Sequence, residues 1–358
     1  MPKIRYLASA AALAILTALA GCSGGTSHST TAATTPTSST AGATTAPGAA
    51  SPGGSAMALQ TAFVNVVNTV RPSVVEITTS SGLGSGVVYD AGGDIVTNDH
   101  VVGTSTSFQV TFFNGQTRPG TLVGAFPPDD LAVIRSALPS GVKPATFGDS
   151  SSLQVGEIAL AIGNPLGLAS SVTQGIVSFN GRTVPEGNGV VLPDTVQTSA
   201  PINPGNSGGA LVDLDAHVIG IPTLAATDPQ LGGGAAAGIG FAIPSNTVKQ
   251  IASQLVATGK VTNSGRAALG IAGATAVDAT GSPVGVIATG VQSGGAADKA
   301  GIKTGDLITA IAAQPTPTLA ALQDVLAGEK PGATVPVKVT DASGSSRSVN
   351  VTLGSLTG

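Results

Sequence analysis

The chain has a single cysteine, Cys22, in 358 residues, so no intramolecular disulfide can form. Tryptophan is absent and charged side chains make up only 9% of the chain. No block of Lys or Arg occurs and the net charge is −4, which argues against the basic face that a nucleic-acid-binding domain presents. The scarcity of charge does not make this a membrane bundle, because the only apolar stretch resembling a membrane segment lies at the start. Clustered His/Cys ligands and a phosphate-binding loop are also missing, so neither a metal nor an organic cofactor is implied. Glycine (50) and proline (23) are abundant, together with Ala, Thr and Val, which is the composition of short strands joined by turns.

The first residues read as an export signal. Lys3 and Arg5 form a positive start, Leu7 to Ala20 a short apolar core, and Leu19-Ala20-Gly21 a run of small residues ahead of Cys22. The position of the sole cysteine resembles a bacterial lipobox, which implies a signal peptide over 1–21 and a lipid anchor on Cys22 holding the protein at the cell membrane. An ordinary secretory signal, giving partly secreted protein, is the alternative. Residues 22–56 are Ser, Thr, Ala, Pro and Gly with almost no large apolar side chains, and they read as a disordered tether that includes His28.

Globular sequence begins near Met57. Leu59, Phe63, Val66, Val67 and Val70 repeat at helical spacing until Pro72. From Val74 to Ile243 the texture is one of short β-branched runs such as Gly86–Tyr89, Ile95–Thr97, Leu131–Ile134 and Ile158–Ile162, which points to an all-β sandwich or barrel. Val87–Asp90 and Asp94–Thr97, joined by Ala91-Gly-Gly93, read as a hairpin. A helix is expected after Pro244, with Ser245 as N-cap and Val248, Ile251, Leu255 and Val256 buried. The polar segment around Gly259–Gly265 divides the globular part into domains at 57–260 and 261–358. In the second, Thr318 caps a helix with Leu319, Leu322, Val325 and Leu326 as its apolar stripe, ended by Gly328.

The chemistry-bearing segment is Ile202-Asn-Pro-Gly-Asn-Ser207-Gly-Gly209. A serine on such a turn presents Oγ outward, and the N–H groups of Gly205 and Ser207 can converge on one point, as a nucleophile and its oxyanion hole require. Taken alone, the segment fits a Gly/Pro-rich surface turn equally well. Of the other histidines, His217 lies in a strand-to-strand turn, whereas His100 follows an apolar strand that would hold it as a general base must be held. The orienting carboxylate is Asp130, next to the apolar run Leu131-Ala-Val-Ile134. Asp129 competes but lies further into the Pro127-Pro128 loop. His100, Asp130 and Ser207 follow the chain order of chymotrypsin-like double barrels.

Together with Gly84-Ser-Gly86, Thr97-Asn-Asp-His-Val-Val102, Ile162-Gly-Asn-Pro-Leu-Gly167, Gln197-Thr198 and Gly238-Ile-Gly-Phe-Ala-Ile-Pro-Ser245, these residues resemble the HtrA/Deg serine proteases from Val64 to Thr352. The resemblance implies a chymotrypsin-like double six-stranded β-barrel. Its triad would be His100, Asp130 and Ser207, and its oxyanion hole Gly205 and Ser207, with Asn206 shaping the turn. It further implies Ile202 in an S1 pocket for small aliphatic side chains, Arg182 as a sensor-loop arginine, and a homotrimer with Phe63 at its interface. Ser199 stands where many relatives are acidic, and the loop Gly103–Arg118 is short.

The segments Arg266–Ile271, Gly285-Val-Ile287 and Gly294–Ile308 resemble a bacterial PDZ domain, a β-sandwich or barrel with two helices. By that resemblance Leu269, Gly270 and Ile271 receive the C-terminal carboxylate of a peptide, with Arg266 as electrostatic helper and Leu322 facing the last side chain. The whole reads as an extracytoplasmic endopeptidase for unfolded exported proteins or a membrane signalling substrate, regulated by peptides at the PDZ domain. A non-enzymatic PDZ-bearing chaperone or scaffold is the alternative.

Overall fold

In β1 (Val74–Thr78), Val75 and Ile77 face one way and Val74 the other, and both faces are buried. The period-2 alternation therefore lines a barrel on one side and an inter-barrel core on the other. The computed structural model describes residues 52–80, 82–164, 171–187, 190–203, 205–228 and 234–358. The expected signal peptide, Cys22, His28 and nearly all of the expected tether lie outside the described residues.

The first barrel is closed by β1, β2 (Leu83–Val88), β3 (Asp94–Thr97), β4 (Ser107–Thr111), β5 (Thr117–Phe126) and β6 (Leu131–Ser136), in the order β1-β2-β3-β6-β5-β4. The second is closed by β7 (Ile158–Gly163), β8 (Ser171–Gly187), β9 (Val190–Thr198), β10 (Ala210–Val212), β11 (Val218–Asp228) and β12 (Gly234–Pro244), in the order β10-β11-β12-β9-β8-β7. The expected hairpin forms, with Val87 opposite Val96 and Val88 opposite Ile95.

Among the described residues, three α-helices accompany the barrels. α1 (Pro52–Val70) starts at Pro52 rather than near Met57, so residues 52–56 belong to a helix and not to the tether. Its Val66 and Val70 are buried, while Met57, Leu59 and Val64 are exposed. α2 (Asp99–Val102) is a single turn that carries His100, so the histidine stands on a helical turn after β3 rather than in the strand. α3 (Ser245–Thr258) buries Val248, Ile251 and Leu255 against Leu160, Val218 and Ile243 and ends at left-handed Gly259. Ser245 is not its N-cap. Its hydroxyl donates to the carbonyl of Gly148 at 3.0 Å, and Pro244 takes the capping position without a side-chain bond.

The C-terminal domain comprises β13 (Ala267–Ala268), β14 (Ile271–Val277), β15 (Pro283–Val291), α4 (Ala296–Lys299), β16 (Leu307–Ile311), β17 (Gln314–Pro315), α5 (Leu319–Ala327), β18 (Thr334–Thr340), β19 (Ser346–Thr352) and β20 (Gly354–Ser355). Its main sheet runs β14-β15-β16-β18-β19, so β14 is an edge. α5 is capped as expected, the Thr318 side chain accepting from the Ala321 N–H at 3.1 Å. The helix is tied to β14 where the Leu319 N–H donates to Thr275 Oγ1 at 3.0 Å. Among the described residues no helix is long and apolar enough to cross a membrane.

Candidate active site

β3 delivers Asn98 and the α2 turn to the interface between the barrels, and the turn Pro127–Asp129 delivers Asp130 beside them. Asp130 adopts φ 49° and ψ 42°, a left-handed conformation costing a non-glycine residue about 1–2 kcal/mol. The strain places its carboxylate between three donors. His100 donates its backbone N–H to Asp130 Oδ1 at 2.9 Å, and His100 Nδ1 meets Oδ2 at 2.9 Å. Thr223 Oγ1 donates to the same Oδ2 at 2.5 Å. Asn98 Nδ2 holds the Asp130 carbonyl at 3.0 Å. The Asp130 side chain is 4% exposed and that of His100 46%, the pattern of a buried orienting acid under a base that solvent and substrate can reach. Asp99, half-buried beside them, has its carboxyl pushed upward by burial and then by the charge of Asp130, with His100 pulling the other way.

Ser207 comes from the second barrel, on the turn ahead of β10. Its Oγ donates to the carbonyl of Thr223 at 3.1 Å. Thr223 thus ties the serine and the acid, its carbonyl on one and its hydroxyl on the other. The serine turn is also anchored in the first barrel through Ser85. Ser85 N–H donates to the Ser207 carbonyl at 2.9 Å, its Oγ to the Gly205 carbonyl at 2.6 Å, and the Asn164 N–H donates to that same Oγ at 2.8 Å. The Asn206 N–H turns inward to the Asn203 carbonyl at 2.9 Å. Gly205 (φ 105°) and Gly208 (φ 79°) have the positive φ that the turn demands. A Cβ on Gly208 would lie 2.2 Å from the Ser85 carbonyl oxygen. Among the described residues, no backbone carbonyl receives the N–H of Gly205 or Ser207. These are the kinds of group that acyl transfer uses: a hydroxyl, an imidazole oriented by a buried carboxylate, and the N–H groups of the serine turn.

Ile202 is buried, sits in the second barrel's interior cluster with Ala200, Val196 and Leu211, and fills the space where Gly240 has no side chain. Arg182 is exposed on β8, with Cζ 4.8 Å from the centroid of the Phe179 ring and its carbonyl bonded by Thr195 Oγ1 at 2.7 Å. Neither partner belongs to the serine turn.

In the C-terminal domain, Leu269, Gly270 and Ile271 lead into the β14 edge, and Gly270 has φ 73°. They line a cavity of about 680 Å³ between that edge and α5, with Leu322 and Leu326 opposite. The groove has the shape for an added strand. The guanidinium of Arg266, however, is directed at the barrels: Nη1 donates to Asp129 Oδ1 at 2.5 Å and to the Pro128 carbonyl at 2.6 Å, and Nη2 to the Val191 carbonyl at 3.0 Å.

One group of described residues has metal-ligand spacing, Asp213, Asp215 and His217, with ligand atoms within 4.8 Å of one another. Asp213 Oδ1 accepts the N–H groups of Asp215 and His217 at 3.0 and 2.8 Å, which closes the β10–β11 turn. Ser85, Asn98 and Thr223 are site residues that the sequence does not single out. Ser85 and Asn98 lie inside the motifs Gly84-Ser-Gly86 and Thr97–Val102, but Thr223 lies in an ordinary apolar strand with no signal of its own.

Residues 84–221 match the trypsin-like peptidase domain and residues 261–353 the PDZ domain. The chain is 41% identical over 308 residues to the serine protease PepD of Mycobacterium tuberculosis, covering 80% of this chain and 64% of that protein. It is 42% identical over 252 residues to the periplasmic serine endoprotease DegP of Escherichia coli, covering 67% of this chain and 50% of that protein. The chain therefore spans between half and just under two thirds of the length of these relatives. Among solved structures, the HtrA-type protease AlgW with a tripeptide aligns at 32% identity and a TM-score of 0.56, over 82% of this chain and 96% of that one. The serine endoprotease from Yersinia pestis aligns at 31% identity and a TM-score of 0.56, over 82% of this chain and 98% of that one.

Proposed function

Because the chain belongs to the HtrA family of trypsin-like serine proteases, we propose that it is an endopeptidase that cleaves unfolded or damaged exported proteins, or a membrane signalling protein, outside the cytoplasm. The observation that carries this reading is the double use of Thr223, which couples the buried Asp130, and through it His100, to the Ser207 hydroxyl.

Ser207 Oγ attacks the scissile carbonyl while His100 takes its proton and then passes it to the leaving amine. Asp130 holds the imidazole in one tautomer and balances the charge of the imidazolium. The N–H groups of Gly205 and Ser207 receive the oxyanion, with Asn206 keeping the turn in shape. Ile202 bounds an S1 pocket for small aliphatic side chains. Selectivity there is loose, because one methylene is worth about 1–3 kcal/mol. Arg182 serves as the sensor-loop arginine. The groove beside Leu269, Gly270, Ile271 and Leu322 takes the C-terminus of a peptide and regulates the barrels. The protein works as a homotrimer, with Phe63 and its neighbours on α1 at the interface. A lipid on Cys22 holds it at the membrane, and its placement outside the cytoplasm accords with the periplasmic relatives.

Labelling with a fluorophosphonate, alongside cleavage of an unfolded protein, tests the reading. Wild type is expected to label and cleave, and Ser207→Ala to do neither. Wild type that binds peptides yet neither labels nor cleaves would instead support a PDZ-bearing chaperone or scaffold. Intact mass of the mature N-terminus tests the lipid on Cys22.

A further inference from the structure

Arg266 lies at the start of the C-terminal domain, yet its guanidinium touches both barrels. In the first barrel it holds Asp129 Oδ1 and the Pro128 carbonyl, and in the second the Val191 carbonyl at the start of β9. The Pro127–Asp129 turn so gripped leads directly into Asp130, whose left-handed backbone the turn must maintain. The same turn forms part of the groove wall, since Pro127, Pro128 and Arg266 line the cavity together with Leu269–Ala272.

The pair is poorly arranged as a source of stability. Asp129 is 2% exposed and its Oδ2 has no hydrogen-bond partner, while burial pushes its carboxyl upward against the pull of Arg266. Buried ion pairs of this kind often add little net stability, and fixing one arrangement among several is the use they can still have. Arg266 is suited to it, because its planar fork reaches a carboxylate and two carbonyls from two separate nitrogens, where a lysine presents only one.

We propose that Arg266 is a positioning residue for the catalytic acid: by clamping Asp129, Pro128 and Val191 it holds the turn that aims Asp130 at His100. The C-terminal domain is thereby a structural part of the active site and not only a peptide module. The inference rests on the protease reading for its effect on turnover, but the geometry it concerns exists whether or not the chain cleaves peptides.

The test uses the full chain with Arg266→Gln, Arg266→Lys and Asp129→Asn, each checked for an unchanged circular dichroism spectrum. In a Ser207→Ala background, the far-downfield proton between His100 Nδ1 and Asp130 Oδ2 is followed by NMR. It is expected to be present with Arg266, lost or moved upfield with Gln, and partly restored with Lys. In the Ser207 background, kcat on a short peptide too small to reach the groove should fall by up to about a hundredfold, as for a misplaced catalytic group, with KM nearly unchanged. An unaltered downfield proton and unaltered kcat in Arg266→Gln and Asp129→Asn would overturn the proposal. A downfield proton that responds to Arg266 in a protein that neither labels nor cleaves would sustain the positioning role and sink the protease reading.

Discussion

Thr223 Oγ1 donates to Asp130 Oδ2 at 2.5 Å, across the boundary between the two barrels. This bond and the His100 Nδ1 contact share one carboxylate oxygen, so removing it leaves Oδ2 to the imidazole alone and the carboxylate held only by the His100 side chain and N–H. Hydrogen bonds to charged groups are worth about 1.5–3 kcal/mol. Thr223→Val keeps the shape and the carbonyl that receives Ser207, and is expected to lower kcat/KM by about ten- to a hundredfold. Thr223→Ser should recover most of it. Steady-state kinetics on one peptide substrate decides; a Val variant as active as wild type would show that the bond is only structural.

Ser85 is the corresponding anchor of the serine turn. Its hydroxyl gives its proton to the Gly205 carbonyl and accepts from the Asn164 N–H, and the residue is fully buried. Ser85→Ala leaves both groups without a partner inside the protein, at about 1–3 kcal/mol for an unsatisfied buried group. Because Gly205 carries one of the two N–H groups proposed to receive the oxyanion, kcat should fall further than stability alone accounts for, with little change in KM. Parallel denaturation and kinetic measurements separate the two effects. Equal binding and turnover in Ser85→Ala, with only lower stability, would assign Ser85 to packing.

Gly208 admits no side chain. Its φ is 79°, and a Cβ would lie 2.2 Å from the Ser85 carbonyl oxygen and 2.4 Å from Thr97 Oγ1. Gly208→Ala is therefore expected to displace the Ser207 turn from β2 and abolish fluorophosphonate labelling, while the C-terminal domain, with its own core around Val286, Ile308 and Val337, stays folded. Peptide binding at the groove, measured on the same sample, checks that the loss is local. Normal labelling of the Ala variant would mean that the turn has room to move.

Much of this site was legible in the sequence, and the limits of that reading have physical causes. His100, Asp130 and Ser207 stood out because each sits in a segment whose neighbours are unusual: a polar turn after an apolar strand, a carboxylate against an apolar run, a serine among glycines. Thr223 was not legible, because its neighbours are those of any β-strand and its role arises only when β11 is brought against the first barrel. The strand pattern showed through in β1, β3 and β6, where both faces are buried, but the front of β5 reads Thr-Arg-Pro-Gly and is largely exposed. Helix starts were hard for a similar reason. Pro52-Gly-Gly-Ser has the composition of a linker yet opens α1, and the hydroxyl of Ser245 serves a neighbouring loop instead of its own helix. The partners of Arg266 were beyond reach, since they lie in both barrels and only the closed structure gathers them.

Asp149 offers a test of the fold by pH. Hydrogen bonds from the Ser151 hydroxyl, from Asn246 and from the Ser151 N–H hold its carboxyl below the ordinary 3.8, at about 2. These bonds connect the loop before β7 to the first turn of α3. A carboxylate whose folded pKa is depressed stabilises the fold above its unfolded pKa, and that contribution disappears as pH falls through the folded value. Asp149→Asn keeps an acceptor but not the charge. Wild type should thus melt above the variant at pH 6, keep that margin down to about pH 4, and lose it between about pH 4 and pH 2. Because the carboxylate is exposed, the margin should also shrink with added salt. Melting curves for both proteins across this range provide the check, and a margin that stays constant down to pH 2 would mean that the charge contributes nothing.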